Sequence, residues 1–489
     1  MKYTGLLICL FFCAGSITIL NAQSNKSNYD YVNPFIGTGG EGHTYPGATV
    51  PFGMVQLSPD TDIRFFKESF PWCAGYRYED STILGFSHTH FSGTGHSDLG
   101  DILIMPFNVD ININQKDGSY SPAIRSAFSH SEESSKPGYY SVMLKDYNIK
   151  AELTATRRTG YHRYSYFNSG SSHFLLDLVS SIYNYDGKVL MANISVKSDR
   201  LITGYRQTKG WAPNRYIFFA IEFSKPFLSY TLLNQDTLTV YKGTGRKGAV
   251  YENYPELYSK KLKAIFNFNV AEKEQIMVKV GISSVDINGA LGNIESELKD
   301  ADFDQVVADA KAEWEKELSA ITVDGSEKQK EIFYTSLYHT FLAPTLYMDS
   351  DRRYRGIDNC IHTAEGFDNY TTFSLWDTYR ALHPLFTLIQ PVRTVDMIKS
   401  MLAHQKQSAF GILPIWSFHA NEDWCMIGYH AVSVIADAYL KGIRGFDPSV
   451  ALTAMIRSAS CLSYGGLEHY IKYGFTDKTI KVLEQVNLT

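Results

Sequence analysis

The sequence predicts a multidomain β + α protein, an antiparallel β-sandwich followed by a helical domain, and three observations carry that prediction. The chain has 489 residues, more than one hydrophobic core usually supports, so two domains are expected. From about Tyr29 to Asp286, short apolar runs alternate with polar residues at the period of two that marks strands. Beyond Asp286 the period lengthens to that of amphipathic helices. Aromatic residues make up 14% of the chain, with 33 tyrosines and 29 phenylalanines, a bias that suits strands and flat apolar binding surfaces.

The first element is a leader. Lys2 precedes the apolar run "GLLICLFFCAGSITIL", and Asn21-Ala22-Gln23 offers a small residue for cleavage, so residues 1–22 read as a signal peptide and the protein as exported. Cys13 could carry a lipid, although Phe12 before it fits a lipoprotein cleavage site poorly. No later apolar stretch is long enough for a transmembrane span beyond the leader. Residues 29–290 are assigned to the β-sandwich. In "IKAELTAT", Ile149, Ala151, Leu153 and Ala155 alternate with polar neighbours as a half-buried strand does, and "HFLLDLV", "YIFFAIEF" and "QIMVKVGIS" follow suit.

Residues 291–325 read as linker helices, because "DFDQVVADAKAEWEKELSAI" sets Phe303, Val307, Ala310, Trp314 and Leu318 on one stripe. From 326 to 489 an all-α domain is expected. Ser326 and Gln329 form a capping box before "EIFYTSLYHTFLAP", where Phe333, Leu337 and Phe341 share a face. Four more helical stretches follow: "SLWDTYRALHPLFTLI", "VRTVDMIKSMLAHQ", "MIGYHAVSVIADAYLKGI" and "PSVALTAMIRSAS". Helices in pairs with glycine- or proline-marked turns suggest an α/α arrangement, and the lack of a fixed repeat excludes a solenoid.

Charge and cysteine content narrow the function. Lys and Arg number 46 against 51 Asp and Glu, a net charge of −5, so there is no basic excess to neutralise the phosphates of a nucleic acid. Of six cysteines, Cys9 and Cys13 fall in the leader; Cys73, Cys360, Cys425 and Cys461 are too scattered for a disulfide framework and are expected as buried free thiols.

Several segments concentrate chemistry. "GTGGEGHTYPGATVPFG", Gly37 to Gly53, packs six glycines and two prolines around His43. Gly39 and Gly40 let backbone N–H groups approach a ligand beside that imidazole; the alternative is a turn network holding a hydrogen-bonded histidine. The loop lacks Gly-x-x-x-x-Gly-Lys spacing and is no phosphate loop. "GFSHTHFSGTGHSDLGD" gathers His88, His90, His96, Asp98 and Asp101. Without a cysteine or Glu-x-x-His partner, these fit loop orientation or polyol binding better than a metal site, and no metal ligand is assigned. In "PWCAGYRYED", Trp72 and Tyr76 sit among turn residues where an aromatic face could stack on a sugar, or pack into the core. "FSLWDTYRALHPLF" holds Trp376, Asp377 and Arg380; the acid suits sugar hydroxyls, while a helix cap or an Asp–Arg surface pair is the alternative. "LPIWSFHANEDWCMIGYHA" adds Trp416, His419, Asn421, Glu422 and His430. Carboxylates and aromatics gathered at helix-entry loops are what a glycosidase cleft requires.

Four stretches together, "YVNPFIGTGGEGHTYPGATVPFGMVQLSPDT", "GYRYEDSTILGFSHTHFSGTG", "SLWDTYRALHPL" and "MIGYHAVSVIADAYLKGIRGFD", resemble the calcium-dependent exo-α-mannosidases of glycoside hydrolase family 92, from about Tyr31 to Phe475. The resemblance implies a β-sandwich followed by an (α/α)6 barrel with the active site at their junction. It implies release of terminal α-linked mannose from N-glycans or mannans by inverting general acid/base hydrolysis, assisted by Ca2+ on the sugar hydroxyls. By the same resemblance Gly39, Gly40 and His43 form the sandwich side of the sugar pocket. Trp376 and Asp377 hold the terminal mannose, and Trp72 resembles the leaving-sugar platform of α-1,2-acting members. His90 and Glu422 complete the expected substrate-binding set, and the periplasm or surface of a Gram-negative cell is the expected compartment.

The match stops after "GLEHYIKYGF". The family continues with a stretch like Ser-Val-Ser-Lys-Thr-Leu-Glu, whose Glu is the general acid; here the chain reads "TDKTIKVLEQVNLT", and Glu484 lacks matching flanks. About half the barrel, the acid, the base and the calcium ligands are therefore expected to be missing, catalytic residues stay unassigned, and activity is expected to be impaired by truncation. The alternative is a non-catalytic mannose-binding protein; a structural surface protein gains nothing from the sequence, which has no adhesion repeats.

Overall fold

A computed structural model describes residues 26–61, 73–94, 98–114, 119–236, 255–464 and 467–474. The leader, Trp72, His96 and the tail with Glu484 lie outside the described residues.

The first half is two antiparallel sheets packed face to face. One runs Ser58–Asp60, Gly85–Ser87, Leu103–Phe107, Gly170–Asp177, Leu262–Val270, Ser229–Asn234. The other runs Glu256–Ser259, Val189–Val196, Leu201–Thr208, Arg215–Phe223, Gln275–Ser283, Thr159–Tyr166, Ile149–Ala155, Tyr139–Leu144, Glu133–Lys136. Inward-facing Ile149, Ala151, Leu153 and Ala155 are buried as the alternation requires. Their outward neighbours Glu152 and Thr154 are buried too, because a helix covers that face. Glu152 is tolerated there since Arg163 donates to it through Nε and Nη2, both at 3.0 Å, and the Tyr139 hydroxyl donates at 2.8 Å.

The helices are α1 (Ile287–Leu298), α2 (Phe303–Leu318), α3 (Glu327–Thr340), α4 (Leu375–Thr378), α5 (Leu382–Ile389), α6 (Pro391–Gln407), α7 (Ala431–Leu440), α8 (Pro448–Ala459) and α9 (Leu467–Tyr473). Local chemistry sets their starts. Asp286 accepts from Gly289 N at 2.7 Å, so α1 begins a few residues earlier than the sequence suggests. Ser326 and Gln329 form the expected capping box of α3, and Pro391 and Pro448 open α6 and α8. The stripe of α2 buries Phe303, Val306, Ala310, Trp314 and Leu318, with Val306 in the place expected for Val307. Helix α5 packs on α6 and α7, and α8 on the same two.

The second half is not all-α. Thr345–Leu346 pairs with Tyr370–Thr371, Arg353–Arg355 with Ile361–Thr363, and Ser417–Phe418 with Asn421–Glu422. These ribbons form because the sandwich reaches across to them: Leu346 N donates to Phe52 O at 2.8 Å, and Met348, Tyr354 and Ala364 enter the core between the sheets. Two expected helices are also shorter. "SLWDTYRALHPLFTLI" breaks at Ala381, and "MIGYH" stays outside α7 because Met426 and Gly428 have φ of 63° and 91°. Cys461 is buried, and so is Cys73, beside His43; against the expectation Cys425 is half-buried and Cys360 exposed, on the turn between two short strands. Among the described residues no helix is long and apolar enough to cross a membrane.

Trp314 joins the halves. Its indole N–H donates to Thr49 O at 2.7 Å, and its ring packs 4.7 Å from Tyr338 in a core that also takes Tyr29, Tyr45 and Phe52 from the start of the chain. Gly138, at φ +84°, clears the way for α2, since a Cβ there would lie 2.8 Å from the Ala310 side chain. Trp314→Ala is expected to lower unfolding stability by about 3–5 kcal/mol, read from urea denaturation followed by far-UV circular dichroism.

Candidate functional site

Sandwich and helical domain meet in an aromatic cluster. Phe91 and Trp211 come from sandwich loops, Trp416 and Phe418 from the hairpin that Ser417–Phe418 makes with Asn421–Glu422. Ring centroids lie 4.4 Å apart for Trp211 and Trp416 and 4.9 Å for Phe91 and Phe418. The Asn421 side chain mimics a strand partner: its Oδ1 accepts from Asn214 N at 3.2 Å and its Nδ2 donates to Asn214 O at 2.9 Å.

The hairpin is strained. Two residues, His419 and Ala420, turn the chain with φ of 41° and 66°, a conformation usually given to Asn-Gly. Trp424 at 52° adds a further left-handed residue just beyond. Neighbours hold the turn: His419 N donates to Thr371 Oγ1 at 2.8 Å, its ring stacks on Tyr347 at 5.0 Å, and Thr372 N and Phe373 N donate to Ser417 O. Burial lowers the His419 imidazole to about 3, so it is neutral.

Two adjacent acids follow, and they fare differently. Glu422 accepts from three backbone amides, Trp416 N at 2.7 Å, Ile415 N at 3.0 Å and Trp424 N at 3.2 Å. Burial nevertheless pushes its carboxyl up to about 7. Asp423 is buried, and neither of its carboxylate oxygens has a hydrogen-bond partner. Burial, and then the charges of Glu422 and Asp98, raise it well above the carboxylate range. A buried carboxylate without a partner is costly, and such groups concentrate where a ligand supplies the missing bonds. Sequence reading singled out Glu422 and passed over Asp423; the signal available was a second acid in "NEDW".

The sandwich presents a rigid edge to this hairpin. Asp101 lies between two buried guanidiniums, accepting from Arg215 Nη1 at 2.7 Å and Arg206 Nη1 at 3.1 Å, with the Thr89 hydroxyl donating at 2.6 Å. Burial alone would raise this carboxyl; Arg215 and Arg206 hold it well below the usual range. Asp98, three residues earlier, accepts from Ala212 N at 2.9 Å, and residue 210 must be glycine because a Cβ there would fall 1.7 Å from Asp98 Oδ1.

The expected histidines are tied into this scaffold. His90 Nδ1 lies 2.8 Å from Gln56 O, and its Nε2 lies 2.9 Å from Asp60 Oδ1 and 3.1 Å from Ser87 Oγ, so both ring nitrogens face protein partners. His88 lies 2.8 Å from Ile102 O and 3.0 Å from His162 Nε2, and burial lowers it to about 4. The His-x-His pair therefore diverges. Among the described residues no group of three or more His, Cys, Asp or Glu side chains gathers as metal ligands.

His43 takes φ 53° within the glycine loop, its Nδ1 3.3 Å from Cys73 Sγ and its Nε2 3.4 Å from Glu41. Gly40 N donates to Glu79 Oε1 at 3.0 Å, and a Cβ on Gly39 would lie 2.8 Å from the same atom, so both glycines wrap that carboxylate. The segment after His90 ties this loop to the hairpin: Phe91 touches Phe418, and Gly93 N donates to His43 O at 2.7 Å. Trp376 is half-buried with the Arg380 guanidinium 5.9 Å from its ring, and Asp377 is exposed, accepting from Ser374 Oγ. Cys425 lies within electrostatic reach of both ends of the site. Burial raises its thiol, and the charges of Asp423, Asp377 and Glu422 raise it further against a hydrogen bond from Met426 N. The His43 loop is reached from the hairpin through Phe91 to Gly93.

Comparison with known proteins gives a consistent picture. Residues 31–283 match the glycosyl hydrolase family 92 N-terminal domain, and residues 289–488 match the glycosyl hydrolase family 92 catalytic domain, which corrects the expectation that the match ends near Phe475. A solved family GH92 α-mannosidase from Bacteroides thetaiotaomicron, in complex with mannoimidazole, is 42% identical with a TM-score of 0.83, over 91% of this chain and 57% of that one. An inverting mannosidase of the same family and organism is 28% identical with a TM-score of 0.75, over 93% of this chain and 59% of that one. An uncharacterized secreted glycosidase of Arthroderma benhamiae is 24% identical over 455 residues, covering 90% of this chain. The chain spans 53% of the length of that fungal relative.

Asp101→Ala would strand two buried guanidiniums and is expected to lower stability by about 3–5 kcal/mol in urea titration. Glu422 sets a pH dependence of the opposite sense to ordinary acid unfolding. Its folded value near 7 lies above the ordinary 4.5, so the folded chain holds a proton that the unfolded chain has released. The stabilisation is complete below about pH 4.5 and is lost as pH rises through about 7, on the order of 3 kcal/mol in all. Glu422→Gln is expected to flatten that slope in a series of thermal melts, whatever its effect on the absolute midpoint.

Proposed function

Because the chain belongs to glycoside hydrolase family 92, we propose that it is a glycosidase that removes terminal α-linked mannose from glycans at the junction of its two domains. The observation that carries this reading is Asp423, buried without a partner beside an anchored Glu422, under an aromatic cluster supplied by both domains. A vicinal pair of sugar hydroxyls would supply the bonds that the protein withholds, one accepting the Asp423 carboxyl proton and the other donating to its carbonyl oxygen. Asp377 adds a second acceptor from α4, with Trp376 beside it as an apolar face for the ring C–H groups. Glu422 positions rather than binds, since its oxygens face backbone amides. His43 and the Gly39-Gly40 turn close the sandwich side of the pocket. The mannoimidazole complex of the 42%-identical neighbour supports a mannose-type ligand.

The reaction proposed is inversion at the anomeric carbon. The C1–O bond to the leaving sugar breaks, water oxygen bonds C1 from the opposite face, and the leaving oxygen takes a proton from a carboxylic acid while the water gives one to a carboxylate. The name of the inverting neighbour supports that stereochemistry. Calcium, when bound, would polarise sugar hydroxyls. The helices following α3 are read as part of an (α/α)6 ring, a reading supported by the packing of α5, α6, α7 and α8 on one another. Export is part of the proposal, supported by the apolar leader and by the secreted fungal relative.

The test is incubation with α-mannobiose, with free mannose followed by proton NMR. Release of mannose with the β-anomer appearing first is expected, and Asp423→Asn should lower kcat/KM by at least about tenfold. Binding of mannobiose without release would favour the carbohydrate-binding alternative, and absence of both overturns the mannoside reading.

A further inference from the structure

A second opening shares no residue with the Asp423 hairpin and its aromatic cluster. It is a cleft of about 510 Å3 where the sandwich, the end of α2 and the start of α6 converge, a volume that suits a small organic ligand. Three cations, Arg157, Lys316 and Arg393, face three carboxylates, Glu317, Asp368 and Asp396, so the lining has no net charge. Glu317 and Arg393 form a fixed wall. Arg393 Nη1 donates to Glu317 at 2.7 Å while its guanidinium caps the Phe52 ring at 4.8 Å.

The other charged groups keep hydrogen-bonding capacity in hand. Arg157 gives one N–H to Glu313 at 3.1 Å and has four more. Asp368 accepts one long bond from Arg352 at 3.4 Å, and burial together with the nearby Asp368 charge raises the Asp396 carboxyl. Ile389, Pro391 and the largely exposed Val392 add apolar lining. An anion would meet Asp368 and Asp396, and a cation would meet Arg157 and Lys316. A neutral ligand with many hydroxyls and apolar C–H faces satisfies both walls. We propose that this cleft is a second saccharide-binding site, taking a neutral disaccharide unit of the glycan and holding it apart from the reacting end. The choice of a mannoside as ligand rests on the function proposed above.

The test is hydrogen–deuterium exchange of the full chain with α-mannobiose at millimolar concentration, read by mass spectrometry for peptides covering 389–396 and 416–424. Protection at 389–396 is expected, with at least a tenfold weaker apparent affinity there in Asp396→Asn and in Arg157→Ala while protection at 416–424 is unchanged. Circular dichroism melts check that both variants are folded. Protection at 416–424 alone overturns the cleft and leaves the mannoside reading standing. Protection at 389–396 that neither variant weakens overturns the cleft assignment, and protection at neither segment overturns both.

Discussion

Tyr29, Tyr45 and Phe52, early in the chain, are buried among the helices, while Met348, Tyr354 and Ala364, from the helical half, complete the core between the sheets. Each domain therefore lacks part of its own interior and borrows it from the other. Such an exchange makes the seam a continuation of two cores rather than a contact between finished surfaces. Loops that flank the seam inherit its rigidity. The glycine loop, the Phe91 segment and the 417–422 hairpin are held in unusual backbone conformations only because packed groups on both sides fix them.

Buried charge is handled in two ways across that seam. Asp101 is compensated in full, by two guanidiniums and a hydroxyl, so it behaves as part of the scaffold. Asp423 receives nothing comparable, and its energy is raised further by Glu422 and Asp98. On the function proposed above, a polar ligand would supply the bonds that Asp423 lacks, and the stability given up there would return as affinity.

Much of the architecture was legible because it obeys simple periods. The alternation in Ile149–Ala155, the α2 stripe and the Ser326–Gln329 box each depend on neighbours within a few residues. Misread elements were those decided at long range. "MIGYH" has helical composition, yet positive φ at Met426 and Gly428 bends it out of the helix that follows. Short ribbons at 345–371 exist because Phe52, some three hundred residues earlier, offers a carbonyl. At the site, "His-Thr-His" left loop orientation and polyol binding both open, and His88 and His90 follow strand Gly85–Ser87 into two separate hydrogen-bond networks. Asp423 was invisible because adjacent acids look alike in a sequence. Only the fold tells which one the backbone amides claim.

That distinction depends on the count of residues in the His419–Ala420 turn. Successive side chains in an extended segment point to opposite sides, so Glu422 faces the amides and Asp423 faces away. Adding or removing one residue in the turn would exchange the two acids. Aspartate, one methylene shorter, would then be asked to span three amides, and glutamate would occupy the bare position. The turn thus acts as a reading frame for the hairpin: substitutions can be absorbed at its tip, but a change of length would rewrite which acid the backbone amides hold and which is left bare.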